Sequence, residues 1–255
     1  MLETRVTFVN GRNHILVGDL VVAGPTRAVI LSHGFASDRN GRGRLPALAA
    51  ALNAAGISTL RYDFAGCGES DDDTLTPEGL RDDLRSAIRF LQQQGFTHIG
   101  LYGHSLGGTI SLWSFTPEIK ALATTGAATG PVHYNFDEFF PQTAVNKLRR
   151  TGIMPVPSKS ERRPVVLASK TLMDSFSTFS SEELLSPITV PVLLIHGGGD
   201  DEERMLAATS HEGIHRLPEG SVLEVFPEAP HDKHTVWPQV TEKLVSWFRE
   251  HLGEY

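Results

Sequence analysis

Short apolar runs alternate with longer amphipathic runs along most of the chain. The apolar runs at 28–34, 57–63, 98–103, 119–125, 190–197 and 221–226 read as buried strands. Helical spacing follows at 44–55, 76–91, 106–115 and 237–251. Strands that alternate with helices predict a mostly parallel, doubly wound α/β sheet of about eight strands, with helices on both faces.

Two features interrupt this alternation. Two runs with period-two patterning flank Asn10-Gly11 and predict an antiparallel hairpin at the N-terminus. From 126 to 186 the pattern breaks, with many Pro and aromatic residues and no clean strand. We therefore expect a single domain over 1–255, with 126–186 inserted in it as a small cap.

The composition narrows the class of protein. The 255 residues include 30 acidic and 23 basic ones, for a formal net charge of −7, which argues against nucleic acid as a partner. The single cysteine, Cys67, excludes an intrachain disulfide and fits a reducing compartment. The N-terminus lacks the pattern of a secretory signal, and no apolar stretch approaches the roughly 20 residues of a membrane helix. We expect a cytoplasmic protein without a membrane partner.

A G-x-S-x-G pattern at 103–107 carries the candidate chemistry. It follows a predicted strand and opens a predicted helix, the context in which such a serine is lifted above the sheet edge on a sharp turn. Ser105 is thus the candidate nucleophile. Two backbone N–H groups are candidates for holding an oxyanion: Leu106, which follows the serine, and Phe35, in the His33-Gly34-Phe35 loop after an early strand.

A serine on such a strand–turn–helix motif is followed along the chain first by the acid and then by the histidine. We therefore expect the base and the acid that orients it later in the sequence. Asp200 and Asp201 follow the strand at 190–197, and the spacing of Asp200 from His196 favours Asp200. His231 and His234 follow the strand at 221–226, and position favours His231. The aspartate should accept a hydrogen bond from the imidazole, so that the other ring nitrogen faces Ser105.

These segments resemble the α/β-hydrolase superfamily, and within it the small bacterial carboxylesterases of the cinnamoyl/feruloyl type. The resemblance rests on HGF (33–35), YDFAGCGES (62–70), GHSLGG (103–108), HGGGD (196–200) and the late His231. It implies a triad of Ser105, Asp200 and His231, with Phe35 and Leu106 as oxyanion donors. Cys67 departs from the family, since relatives often carry His there, and the loop after Asp200 lacks a frequent Val-Pro.

The expected activity is hydrolysis of carboxylic esters, short-chain or of aromatic acids, through an acyl-enzyme. The same triad could act on amide, thioester or other acyl bonds, and a ligand-binding protein on this fold is a further alternative. Aromatic and methionine side chains of the cap either line an acyl pocket or pack the cap onto the core: Tyr134, Phe136, Phe139, Phe140, Met154, Met173, Phe176 and Phe179.

The remaining expectations are brief. Arg162-Arg163 could hold a substrate carboxylate, although a solvated pair is the simpler interpretation. His231, Asp232 and His234 could bind a metal, but a catalytic role explains His231 more economically. No cofactor or metal is implied. Small esterases often form homodimers, and no sequence feature decides that point.

Overall fold

An eight-stranded sheet forms the centre of the computed structural model, which describes residues 2–253. Its strand order is β1-β2-β4-β3-β6-β7-β10-β11. The strands of this sheet are β1 (Glu3–Val9), β2 (Ile15–Val21), β3 (Arg27–Ser32), β4 (Ser58–Tyr62), β6 (His98–His104), β7 (Ile119–Thr125), β10 (Val192–Gly197) and β11 (Val222–Phe226). The predicted domain of 1–255 extends beyond the described residues at both ends.

The sheet is parallel except at one edge. β2 runs antiparallel to both β1 and β4, and every later pairing is parallel. β3 and β4 are buried along their whole length, because helices cover both faces of a parallel sheet. The predicted fold class, including the antiparallel hairpin and about eight strands, is confirmed.

Helices flank the sheet on both sides. They are α1 (Arg44–Ala54), α2 (Pro77–Gln93), α3 (Leu106–Trp113), α4 (Phe136–Phe139), α5 (Gln142–Thr151), α6 (Lys170–Thr178), α7 (Ser181–Leu185), α8 (Asp201–Gly213) and α9 (Trp237–His251). Leu48 of α1 and Phe248 of α9 belong to one buried apolar cluster. Leu84 of α2 and Ile110 of α3 belong to the other. The two clusters identify the two covered faces.

Local chemistry fixes where α2 begins. Thr76 lies just before the helix in an extended conformation, and its side chain accepts a hydrogen bond from the Gly79 N–H at 3.0 Å. Pro77 occupies the first helical position, where its missing N–H costs nothing.

A second, three-stranded sheet takes two strands from the chain between β7 and β10, which we call the β7–β10 segment (126–191), and one short strand from earlier in the sequence. Its order is β5 (Thr74–Leu75), β9 (Val165–Ser169) and β8 (Ile153–Pro157). The sequence showed no clean strand here because β8 contains Pro155 and Pro157. Prolines are tolerated in β8 because it is an edge strand of this small sheet.

Among the described residues, no helix combines the length and the apolar character needed to cross a membrane.

Candidate active site

The carboxyl ends of the parallel strands bring the candidate residues to one edge of the sheet. Phe35 follows β3, Ser105 follows β6, and His231 follows β11. The loop after β10 leads into α8 at the same edge. Open α/β sheets form their sites there, because loops from neighbouring parallel strands meet at that edge.

Ser105 occupies a strained turn between β6 and α3. Its φ of 53° and ψ of −125° are unusual for a residue with a side chain. The turn is possible because both flanking glycines lack a side chain. A Cβ on Gly103 would come within 2.2 Å of the Gly107 carbonyl oxygen, and one on Gly107 within 2.4 Å of the His33 carbonyl oxygen. The G-x-S-x-G pattern is therefore a steric requirement of this turn.

His231 connects Ser105 to a buried carboxylate. Its Nε2 lies 3.0 Å from Ser105 Oγ, and its Nδ1 lies 2.5 Å from Oε1 of Glu203. The Glu203 side chain is fully buried. With Nδ1 donating to the carboxylate, Nε2 is free to accept the serine proton. The serine and the histidine chosen from the sequence are thus brought together, and the acid that contacts the histidine is Glu203, which was not predicted from the sequence.

Asp200 does not contact the imidazole, which differs from the prediction. Asp200 caps α8: its Oδ1 accepts from the Glu203 N–H at 2.8 Å, and its Oδ2 accepts from the His231 backbone N–H at 2.7 Å. Because both of its carboxylate oxygens accept from backbone N–H groups, Asp200 is not the acid that contacts His231. Asp201, the other candidate, is exposed and pairs with Arg204.

One sequence signal could have revealed Glu203. An aspartate followed three residues later by a glutamate is typical of a helix N-terminus, and Asp200 and Glu203 have that spacing. The glycines at 197–199 favour instead the interpretation of this stretch as a loop. Recognising a helix from Asp201 would have placed Glu203 in its first turn, beside the end of β10.

The surroundings of Glu203 hold it ionised. Burial would raise the pKa of its carboxyl, but His196, His231 and the Lys233 ammonium hold that pKa well below its ordinary value. Its Oε2 contacts the Gly197 N–H and lies 2.6 Å from Lys233 Nζ. Glu203 is therefore a carboxylate at neutral pH, able to stabilise a positive imidazole.

Glycines make room for this arrangement. Gly126, at a φ of 60°, follows β7, and a Cβ there would come within 2.7 Å of Glu203 Oε1 and 2.9 Å of His231 Cε1. Gly197 packs against the loop after β11, where a Cβ would meet the Ala229 carbonyl oxygen at 2.0 Å. The glycine-rich loop lets the ends of β10 and β11 approach closely enough for Glu203 to reach His231.

The two backbone N–H groups expected near Ser105 belong to Phe35, in the loop after β3, and to Leu106, at the start of α3. Leu106 is the first residue of α3, so its N–H has no acceptor within the helix. Phe35 and Leu106 both line the cavity above the serine. His33 shapes this loop from below. It is buried, its Nδ1 lies 2.8 Å from the Gly34 carbonyl oxygen, and its Nε2 accepts from the Phe64 N–H at 3.2 Å.

A second histidine lies beside His231. His104 stacks at a tilt with a ring-centroid distance of 5.2 Å, and its Nδ1 lies 3.0 Å from Thr125 Oγ1. Burial, together with the nearby His231, lowers the pKa of His104 well below its usual range. His104 is therefore a neutral neighbour of His231. The sequence had given it no role beyond its place in the G-x-S-x-G motif.

A cavity of about 290 Å³ opens over Ser105. Six of the eight aromatic and methionine residues noted in the β7–β10 segment line it: Tyr134, Phe136, Phe139, Phe140, Met173 and Phe176. Met154 and Phe179 are buried in the core instead. Arg42, Arg44 and Lys159 add basic groups to the lining, and Glu202 and Asp232 add acidic ones. The wall above the serine is thus mainly aromatic, with a charged rim.

The other residues singled out from the sequence lie elsewhere. His234 is exposed and its Nδ1 lies 2.5 Å from Asp232 Oδ1. Arg162 and Arg163 pair with Glu69 and Asp72. Cys67 is buried, and burial raises the pKa of its thiol. Within residues 2–253 no group of three His, Cys, Asp or Glu side chains is arranged to hold a metal ion.

With this geometry in place, the comparison with protein families is decisive. The model of the alpha/beta hydrolase family matches residues 29–243. The chain belongs to that family. The match spans both Ser105 and His231, and it makes hydrolysis the expected class of reaction.

Individual curated proteins are similar to this chain only in part of its length or at low identity. An uncharacterised 31.7 kDa protein of Escherichia coli, from the traX-finO intergenic region, is 40% identical over 85 residues, or 31% of this chain and 29% of its own length. The mitochondrial palmitoyl-protein thioesterase ABHD10 of Bos taurus is 26% identical over 183 residues, or 70% of this chain and 58% of its own length. The chain thus spans from under a third to under two thirds of these relatives.

Solved structures agree in fold. The esterase domain of a Rhodothermus marinus protein has a TM-score of 0.71 at 24% identity, covering 99% of this chain and 100% of that one. Est1E of Butyrivibrio proteoclasticus, solved with ferulic acid, has a TM-score of 0.73 at 20% identity, covering 98% and 100%. The resemblance to bacterial esterases stated from the sequence is confirmed at the level of fold.

Proposed function

We propose that the protein is a serine esterase that hydrolyses carboxylic esters through an acyl-enzyme, with Ser105, His231 and Glu203 as its triad. One observation carries the proposal: His231 bridges Ser105 Oγ at 3.0 Å and the buried Glu203 at 2.5 Å. A serine hydroxyl is a weak nucleophile without such a base, and the base needs a partner on its other nitrogen.

The reaction has two halves. Ser105 Oγ attacks the ester carbonyl carbon while His231 Nε2 takes its proton, and the N–H groups of Phe35 and Leu106 hold the oxyanion. The intermediate collapses as the imidazolium protonates the leaving alkoxide, which departs as the alcohol. Water then attacks the acyl-enzyme with His231 again as base, and the acid and free Ser105 are released.

Glu203 replaces Asp200 as the proposed orienting acid. Its carboxylate accepts from Nδ1, which keeps the imidazole in the tautomer that faces Ser105 and stabilises the positive charge formed during attack. Asp200 supports the site indirectly, since its backbone contacts tie the start of α8 to the His231 loop.

The size and lining of the cavity support small or aromatic acyl groups. A volume of about 290 Å³ lies at the lower end of the roughly 300–1,000 Å³ typical of small-molecule sites. We propose that the β7–β10 segment is a cap whose aromatic side chains contact the acyl group. Short-chain esters and esters of aromatic acids are the proposed substrates.

Thioesters are a second candidate class of substrate, because a relative whose match covers 70% of this chain is a palmitoyl-protein thioesterase. The same acyl-enzyme forms from either bond, and only the leaving group differs. Ester, thioester and amide versions of one short acyl group, compared by kcat/KM, separate these activities.

The test is a panel of p-nitrophenyl esters from acetate to palmitate, with methyl ferulate, run on the wild type and on Ser105→Ala. We expect the wild type to turn over short or aromatic esters and the variant to lose about 10⁴- to 10⁶-fold in kcat. The variant should keep the wild-type circular dichroism spectrum, since only one hydroxyl is removed.

Two outcomes would contradict the proposal. Substantial turnover by folded Ser105→Ala would remove Ser105 from the mechanism. A folded wild type that hydrolyses no ester, and whose Ser105 does not react with a fluorophosphonate, would point to a ligand-binding role on the hydrolase fold.

A further inference from the structure

A buried lysine lies directly against the proposed triad acid. The Lys233 side chain is 0% exposed, and its Nζ lies 2.6 Å from Glu203 Oε2. Nζ also donates to the His231 carbonyl oxygen at 3.1 Å and to the Pro230 carbonyl oxygen at 3.4 Å. All three ammonium protons therefore have an acceptor, and two of the three acceptors belong to the proposed triad residues.

This position is an unfavourable one for a lysine in two respects. Its φ of 57° lies in the left-handed region, where a residue with a side chain is strained. Burial also lowers the pKa of the Lys233 amine, against the opposing effect of Glu203. The contact with the Glu203 carboxylate is what compensates a buried cation here, because an unpaired charge at 0% exposure is strongly disfavoured.

The two oxygens of Glu203 face different partners. Oε1 faces His231 Nδ1, while Oε2 faces Lys233 and the Gly197 N–H. With Oε2 held on one side, the carboxylate cannot turn its other oxygen away from the imidazole. Lys233 thereby restricts the acid to the orientation that the reaction requires.

Lys233 also changes the charge that His231 experiences. A proton on His231 is attracted by Glu203 and repelled by Lys233, so the ion pair attracts it less than the carboxylate alone would. We propose that Lys233 is a positioning residue, which fixes the Glu203 carboxylate against His231 and offsets part of the charge that this carboxylate presents to the imidazole. This inference rests on the proposed serine hydrolase function.

Other titratable and charged groups surround the same imidazole. They come from each element packed around it: His104 at the end of β6, Arg44 of α1, His196 of β10, Asp200 and Glu203 at the start of α8, and Asp232 and Lys233 beside His231 itself. His104 and His196 have pKa values lowered by burial and are neutral. Arg44 bonds the Asp232 carbonyl oxygen, and Lys233 is the cation that contacts Glu203 directly.

The test compares Lys233→Met with Lys233→Gln, which keeps a hydrogen-bond donor but removes the charge. The readouts are kcat/KM and the rate of fluorophosphonate labelling of Ser105, both followed from about pH 5 to pH 9. We expect the acid limb of both profiles to move to higher pH by about one unit in Lys233→Met, so that the variant loses roughly tenfold more activity at pH 5.5 than at pH 8.

The glutamine variant separates charge from placement. We expect Lys233→Gln to show the same movement of the acid limb, with a smaller loss of kcat at pH 8 because Oε2 keeps a donor. Lys243→Met is the matched control: Lys243 is a partly exposed lysine that pairs with Glu224 at 3.0 Å, away from the site, and its profile should equal that of the wild type.

Several results would overturn the inference. A uniform loss at every pH, without movement of the acid limb, would mean a purely structural role, and so would unfolding of both Lys233 variants. Wild-type Ser105 that is labelled without turning over esters would contradict the esterase proposal alone, because the labelling profile still reports the base. Wild-type Ser105 that neither hydrolyses esters nor reacts would contradict both.

Discussion

Asp200 and Glu203 lie three residues apart at the start of the same helix, α8, and have different partners. The Asp200 carboxylate accepts only from backbone N–H groups in the contacts of the described chain, whereas Glu203 contacts an imidazole and an ammonium group. Backbone capping stabilises a helix end, and a carboxylate on an imidazole sets its tautomer and charge. Contacts, more than residue type or motif spacing, therefore decide between the two acids.

Neutralising each acid in turn separates their roles. We expect Glu203→Gln to lower kcat by about 10⁴-fold, because an amide cannot stabilise the imidazolium or enforce its tautomer. Asp200→Asn should cost about tenfold or less, since one backbone hydrogen bond of about 1 kcal/mol is disturbed and asparagine still caps a helix. Steady-state kinetics on the preferred ester measures both.

Thermal unfolding of the two variants provides the control for folding. A folded Glu203→Gln that keeps near-wild-type kcat, alongside a loss of 10⁴-fold in Asp200→Asn, would return the orienting role to Asp200.

At the scale of elements, Arg39 connects the loop after β3, which contains Phe35, to β2 and to the loop after β4. Its side chain contacts Asp63, Asp19 and Glu69, and its N–H donates to Asp63 Oδ1 at 2.7 Å. These acids come from β2 and from the loop after β4. We therefore expect the position of the Phe35 N–H, the proposed oxyanion donor, to depend on this charge network, which spans three elements.

Arg39 has a natural control in Arg5, which contacts two of the same acids. The Arg39 side chain is 3% exposed and that of Arg5 is 49% exposed. We expect Arg39→Met to lower the free energy of unfolding by about 3–5 kcal/mol, because buried carboxylates lose their partner. Arg5→Met should cost about 1 kcal/mol or less, since water screens an exposed pair.

Urea unfolding of both variants gives the two free energies. Equal stability of Arg39→Met and Arg5→Met would show that the buried network does not hold the loop.

Elements with strong periodicity were predictable, and those defined by contacts across the chain were not. The sheet strands and α1, α2, α3 and α9 were anticipated because their apolar positions repeat regularly. The strands β8 and β9 were not predicted because both are short, β8 contains two prolines, and the two strands pair mainly with each other. The helix α8 was not predicted because the glycines at 197–199 that precede it indicated a loop.

At the scale of the whole molecule, topology explains why the proximity of Ser105 and His231 could be predicted. Both follow parallel strands, and such strands deliver their loops to one edge regardless of side-chain detail. To predict that Glu203 contacts His231, one would need the path of the chain after β10. To predict the cavity, one would need to know how the β7–β10 segment packs over that edge. Neither follows from periodicity, because both depend on contacts between residues distant in sequence.

Two buried methionines of that segment test whether it shapes the cavity. Met173 is 1% exposed and lines the cavity, while Met154 is 0% exposed and packs in the core. Replacing either with alanine should cost about 2–5 kcal/mol of stability, because each leaves a void. Only Met173→Ala opens that void toward Ser105, so only this variant should shift activity toward longer acyl chains.

The measurement is kcat/KM along the p-nitrophenyl series, normalised to the acetate ester. One or two added methylene groups, each contributing about 0.8 kcal/mol when buried, should favour the longer esters by about 4- to 15-fold in Met173→Ala. Met154→Ala should keep the wild-type profile at similar stability. If both variants keep that profile, the acyl group does not occupy the space under the β7–β10 segment, because equal losses of packing would then have no consequence for substrate size.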